Sequence, residues 1–192
     1  MKKVILFLFS LVFIMVSCKK EKEKLFDSPS LIYYNDFVPD TVMTVHYGDS
    51  MSYFLDVNND SIYDIQFFLD CRLIMFAHQY TPEYYKSVKG INGTELIVEP
   101  GYCNGPCSPP VDSGIYINVN RSSTSHVTIE AHEALWYHCH CFSSKNYMGI
   151  KLTKNSNIYL GWMRISTDQY TLSIDDYAMT LYPMDSIQVG SH

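Results

Sequence analysis

From Leu31 onward the chain is written in short apolar and aromatic runs separated by turn residues, and helical periodicity never lasts long enough to compete. Runs of strand type fall at Leu31 to Tyr34, Thr41 to Tyr47, Met51 to Val57, Ile62 to Leu69 and Arg72 to Gln79. The stretch Thr81 to Ser113 is punctuated by Pro82, Gly90, Asn92-Gly93, Pro100-Gly101, Gly105-Pro106 and Pro109-Pro110, which predicts long loops around one strand, Glu95 to Val98. Strand signals resume at Gly114 to Val119 and His126 to Glu130, and close the chain at Tyr147 to Thr153, Ile158 to Ile165, Tyr170 to Ile174 and Tyr177 to Tyr182. Many short strands with closely spaced turns predict an all-β fold, a β-sandwich or jelly roll, as a single domain over residues 30–192. Sixteen tyrosines and ten phenylalanines agree with it, since aromatic residues favour strands.

The first residues follow a different rule. Lys2 and Lys3 precede an apolar run from Val4 to Val16 broken only by Ser10, and Ser17 stands before Cys18. That is the architecture of an export signal, and 13 residues fall short of the roughly 20 needed to span hydrocarbon. Met15-Val16-Ser17-Cys18 resembles a bacterial lipobox, which implies cleavage after residue 17 and lipid on Cys18. Residues 18–29, with the run Lys19 to Lys24, contain too little to bury and read as a charged tether. The expected location is the cell envelope, as an outer-membrane lipoprotein whose first partner is the membrane. Without the signal the chain keeps 12 of its 14 Lys and Arg and all 20 Asp and Glu, a net charge of −8. Nucleic-acid binding needs a basic footprint, so no nucleic-acid partner is expected.

The most specific internal motif is Asp56-Val-Asn58-Asn-Asp60-Ser-Ile62-Tyr-Asp64. Asp56, Asn58, Asp60 and Asp64 hold the side-chain oxygens, and Ile62 the backbone carbonyl, of a loop spaced for a hard cation, so calcium is the expected cofactor. Ser61 stands where such loops usually have glycine. The competing reading is an Asx-rich hairpin turn whose side chains bond their own backbone.

This motif, together with Tyr159 to Ser166 (YLGWMRIS) and Leu172 to Pro183 (LSIDDYAMTLYP), resembles a group of exported Bacteroidetes-type lipoproteins. The group combines an aspartate-rich early turn with a late YGW-hydrophobic-R strand and a D-Y-A-Y strand. Here Leu160 separates Tyr159 from Gly161, and Met179 replaces the last aromatic. The resemblance implies a jelly-roll β-sandwich and no particular activity. Strand alternation by itself makes Trp162 a core anchor.

Trp136-Tyr-His138-Cys139-His140-Cys141 forms the second constellation. On a strand, His138 and His140 share one face and Cys139 and Cys141 the other. An H-x-H pair is a start for zinc or copper, with His126 or His132 completing it. Alternatively Cys139 and Cys141 form disulfides with Cys103 and Cys107, in a pairing that spacing does not choose. His132-Glu133 begins an H-E-x-x-H motif that fails at Trp136, and no phosphate loop, dinucleotide fingerprint or nucleophile elbow occurs. Glu130 and Glu133 are a carboxylate pair without a supporting third feature. Tyrosines from Tyr80 to Tyr85, and Tyr102, offer stacking surfaces for sugars. The expected function is therefore a non-catalytic, calcium-stiffened binding or structural module for a glycan or protein ligand. The alternative is a zinc- or copper-binding or hydrolytic envelope protein built on His126, His132, His138 and His140.

Overall fold

A computed structural model describes residues 31–76, 79–99, 110–133, 137–140, 146–168 and 170–191. The described residues contain twelve strands and no helix. β1 (Ile32–Thr44), β5 (Thr94–Ile97), β9 (Asn146–Lys154), β10 (Asn157–Thr167) and β11 (Thr171–Thr180) make one antiparallel sheet in the order β1-β11-β10-β9-β5. β2 (Ser50–Leu55), β3 (Ile65–Phe76), β4 (Gln79–Gly90), β7 (His126–Glu133) and β8 (Tyr137–His140) make a second in the order β2-β3-β4-β7-β8. β6 (Tyr116–Asn118) and β12 (Ser186–Gln188) pair as a separate ribbon. The chain is an all-β sandwich.

One apolar cluster fills the space between the sheets, with Phe67, Leu69, Val88 and Ile129 from the second meeting Ile150, Met163, Ile165 and Ile174 from the first. A smaller cluster lies behind the first sheet, where Leu160, Trp162 and Ala178 pack under Ile117, Ile187 and Val189. Both faces of β10 and β11 are therefore covered, which is why their central residues are buried almost without alternation. Trp162 is 1% exposed, stacks edge-on to Tyr147 at 5.5 Å and donates its Nε1–H to the Ser191 carbonyl at 3.1 Å. Gly161 beside it is required by close approach. A Cβ there would sit 2.4 Å from the Ala178 carbonyl oxygen.

The strands are longer than their sequence runs suggest. Leu31 to Tyr34 and Thr41 to Tyr47 join as β1 across an irregularity between Asp36 and Thr41. Tyr170 to Ile174 and Tyr177 to Tyr182 join as β11, because Asp175 is a bulge: Arg164 pairs with Asp176 and Ile165 with Ile174. Ile62 to Asp64 belong to the loop before β3, which itself runs on through Arg72 to Phe76. The clearest correction concerns Thr81 to Gly90, expected as loop and found in β4. Pro82 is tolerated because it pairs with Leu73 of β3 but lies outside the Tyr84 to Lys89 stretch of β4 that pairs with β7.

Candidate functional site

Three polar turns meet at one end of the sandwich. The Asp56–Asp64 segment joins β2 to β3, Asn92-Gly93 carries the chain from β4 into β5, and Asn155-Ser156 closes the β9–β10 hairpin with both residues at positive φ (52° and 63°). They are tied together: the Ile91 N–H donates to the Asp64 carbonyl at 2.8 Å, the Asn92 side-chain amide to the Tyr63 carbonyl at 2.8 Å, and the Thr153 N–H to the Gly93 carbonyl at 2.9 Å. Beside them opens a cleft of about 320 Å³, lined among others by Tyr33, Tyr159, Asn58, Asn59, Lys154 and Asn155. Tyr33 and Tyr159 are only partly buried, so their rings reach both core and solvent. A second hollow of about 280 Å³ touches the loop at Asp60, Asp64 and Asn92 and shares Asn58 and Lys154 with the first.

The loop organises itself around its acids. Asp56 accepts the backbone N–H of Asn58 (3.2 Å), Asp60 (3.3 Å) and Ser61 (2.7 Å). Asp60 accepts the Ile62 N–H at 2.8 Å and pairs with the Lys154 ammonium, which holds its carboxyl below the usual range. Asp64, 2% exposed, accepts the Val57 N–H at 3.0 Å and the Asn58 side-chain amide at 3.2 Å. Burial, reinforced by the charges of Asp60 and Asp56, raises its pKa to about 6 against the pull of the Val57 N–H. Ser61 adopts the left-handed backbone (φ 68°) that glycine usually supplies at that position. These contacts are those of an Asx-rich turn. Among the described residues no three acidic, histidine or cysteine side chains converge as a metal site; the loop holds three carboxylates against one ammonium, and Asn58 Oδ1 is buried without a hydrogen-bond partner.

The histidines and cysteines are placed by register. His132 of β7 lies directly opposite His138 of β8, and Glu130 opposite His140, while Cys139 lies opposite Ala131. His126 does not join them. A register shift between Lys86 and Ser87 of β4 puts a bulge in β7, so His126, paired with Lys89, falls on the opposite face from His132, paired with buried Tyr84. His126 instead lies 3.3 Å from the Tyr85 hydroxyl through Nε2. Cys103, Cys107, Cys141 and Tyr102 lie outside the described residues, as do Trp136 and the segment 1–30 with Cys18. Among the tyrosines proposed for stacking, Tyr84 is 1% exposed and belongs to the core, whereas Tyr80 is exposed.

Two buried polar clusters escape a reading by runs. On the ribbon side of the first sheet, Arg164 lies 2.8 Å from Asp176 and 3.5 Å from Asp175, while the Tyr34 hydroxyl donates to Asp176 at 2.9 Å. Burial and that contact push the Tyr34 hydroxyl up to about 12, and burial with the Asp40 charge raises Asp175. On the inner face of the second sheet, Lys86 is 1% exposed and donates to the Asp168 carbonyl, near the edge-on pair Tyr84–Tyr170. Arg164 two residues after Trp162, and the doublet Asp175-Asp176 in an otherwise apolar strand, were the available signals for the first cluster. For Lys86 there was none. No family model matches this chain, and no curated protein or solved structure matches it either.

Proposed function

We propose that the protein is a lipid-anchored envelope module that binds a glycan, without catalysis, in the cleft beside the Asp56–Asp64 loop. The cleft itself carries the reading: two partly buried tyrosines, Tyr33 and Tyr159, and a rim of Asn58, Asn59, Asn155 and Lys154 around about 320 Å³. Tyrosine rings offer flat apolar faces to the C–H side of a sugar, and amides and an ammonium match its hydroxyls. Such a space suits a mono- or disaccharide end better than a protein surface, which needs a far larger contact. Calcium belongs to the same reading as a stiffener of the loop that forms one wall, supported by the ligand spacing and by the excess of carboxylates over ammonium. The signal and lipobox at residues 1–18 support attachment to the membrane through Cys18.

The test uses the full-length chain in detergent on a glycan array. Binding to a defined terminal sugar that Tyr159→Ala abolishes, with the fold intact by circular dichroism, is the expected result. Silence across the array, or glycan capture unaltered by Tyr159→Ala, overturns it. Mass spectrometry of protein purified from membranes is expected to find an acylated Cys18 as the first residue.

A further inference from the structure

We propose that the end of the sandwich carrying the Asp56–Asp64 loop is a membrane-docking surface, on which Leu31, Ile62, Tyr63, Leu181 and Tyr182 meet the headgroup region of the bilayer. The inference rests on the Cys18 anchor proposed above and not on what the cleft binds. All five side chains are exposed. Contacts gather them at one end. The Leu181 N–H donates to the Leu31 carbonyl at 2.8 Å, Leu181 lines the larger hollow and Ile62 the smaller, and the two hollows share Asn58, Leu152 and Lys154. Tyr63, next to Ile62, accepts the Asn92 side-chain amide through its carbonyl and tilts its ring against exposed Phe54 at 5.5 Å. Tyr182 follows Leu181 directly after β11.

The other end of the sandwich exposes Tyr47, Met75, Tyr80 and Tyr170, so exposure alone does not choose between them. The point of attachment does. The chain enters the sandwich at Leu31, whose neighbour Ile32 pairs with Thr180 at the cleft end. From Cys18 to Leu31 is 13 positions, at most about 43–47 Å at full extension. β3 alone, 12 residues from Ile65 at the cleft end to Phe76 at the other, spans about 40 Å. Resting the far end on lipid would use nearly all of that reach, whereas the near end needs little of it. The side chains agree with this orientation: tyrosines settle at headgroup level with the ring in apolar surroundings and the hydroxyl wet, and leucine and isoleucine reach the acyl boundary. Asp60 is paired with Lys154, and Asp56 accepts three backbone N–H groups, so neither acid opposes contact with a neutral surface. Three carboxylates against one ammonium disfavour an anionic one, and zwitterionic lipid is the partner that fits.

Reconstitution of the full-length acylated chain in phosphatidylcholine vesicles, with and without bromine on the acyl chains, tests the surface, because bromine quenches a tryptophan only on close approach. Tyr182→Trp and Ile62→Trp place reporters at the docking end and Tyr80→Trp at the other, with the wild-type emission of Trp136 and Trp162 subtracted. Brominated lipid should remove roughly half or more of the emission added by the first two, as for side chains seated at the acyl boundary, and leave that of Tyr80→Trp unchanged. Circular dichroism identifies a variant that fails to fold, and the other reporter at the docking end then decides. An unquenched docking end, or equal quenching of all three reporters, in a chain whose Cys18 is acylated by mass spectrometry overturns the surface and leaves the anchor standing. A bare Cys18 overturns the anchor and the surface together, since only the anchor distinguishes the two ends.

Discussion

The Arg164 guanidinium lies 2.8 Å from the Asp176 carboxylate across the β10–β11 ladder, on the face that the β6–β12 ribbon covers. Asp175, displaced by the bulge, approaches the same guanidinium at 3.5 Å. Both aspartates are at most 5% exposed, so the arginine is what keeps two buried carboxyls tolerable. Arg164→Ala should therefore destabilise the protein by about 3 kcal/mol, at the low end for breaking a buried pair because the arginine itself is partly solvated. Urea unfolding measures it, and a loss below about 1 kcal/mol would mean that water already does the work of the ion pair.

Trp162 holds the ribbon to the first sheet. Trp162→Ala should cost about 3–5 kcal/mol, the usual range for deleting a large buried aromatic. Trp162→Phe keeps most of the volume but loses the bond to the Ser191 carbonyl, for about 1 kcal/mol plus a packing term. Equal effects of the two in chemical unfolding would show that the hydrogen bond, not the ring, anchors the ribbon.

Asp64 makes stability fall as pH rises. Its folded pKa of about 6 exceeds the unfolded value of about 3.9, so the native state holds the extra proton between those limits. This contribution is fully present below about pH 4, declines through the window and is gone above about pH 6, a change on the order of 2 kcal/mol. Asp64→Asn should flatten that part of the pH profile and raise the melting temperature at pH 7 in the presence of chelator. A profile in metal-free buffer that the substitution leaves unaltered would contradict the assignment.

Calcium should reverse that behaviour, because the ion needs the ionised carboxyl. At a free concentration one hundred times the dissociation constant it should stabilise the fold by about 2.7 kcal/mol. For a domain of this size that is about 5–10 °C in melting temperature. Asp56→Asn and Asp64→Asn should each remove the response. A melting temperature indifferent to chelator would leave the loop as a self-bonded Asx turn and take calcium out of the proposed function.

Between sequence and structure, most differences come from bulges. The paired aspartates at 175 and 176 look like a turn between two short strands, yet Tyr34 and Arg164 solvate them inside one long strand. A single extra residue in β7 likewise moves His126 away from His132, although plain alternation puts both on one face. Pro82 reads as a loop breaker until one sees that its strand has lost the β7 partner there. The cleft was not legible either, since Tyr33, Asn58 and Tyr159 come from three distant segments.

Local chemistry along the chain was enough to determine the all-β class, the buried role of Trp162 and the polar Asp56–Asp64 turn. Those properties depend on the two-residue period of a strand and on side chains within a few positions of each other. Which faces are covered twice, where the bulges reset the alternation, and which turns meet to enclose a cleft were decided by the folded chain alone. Each depends on contacts between segments far apart in sequence, which no local pattern records.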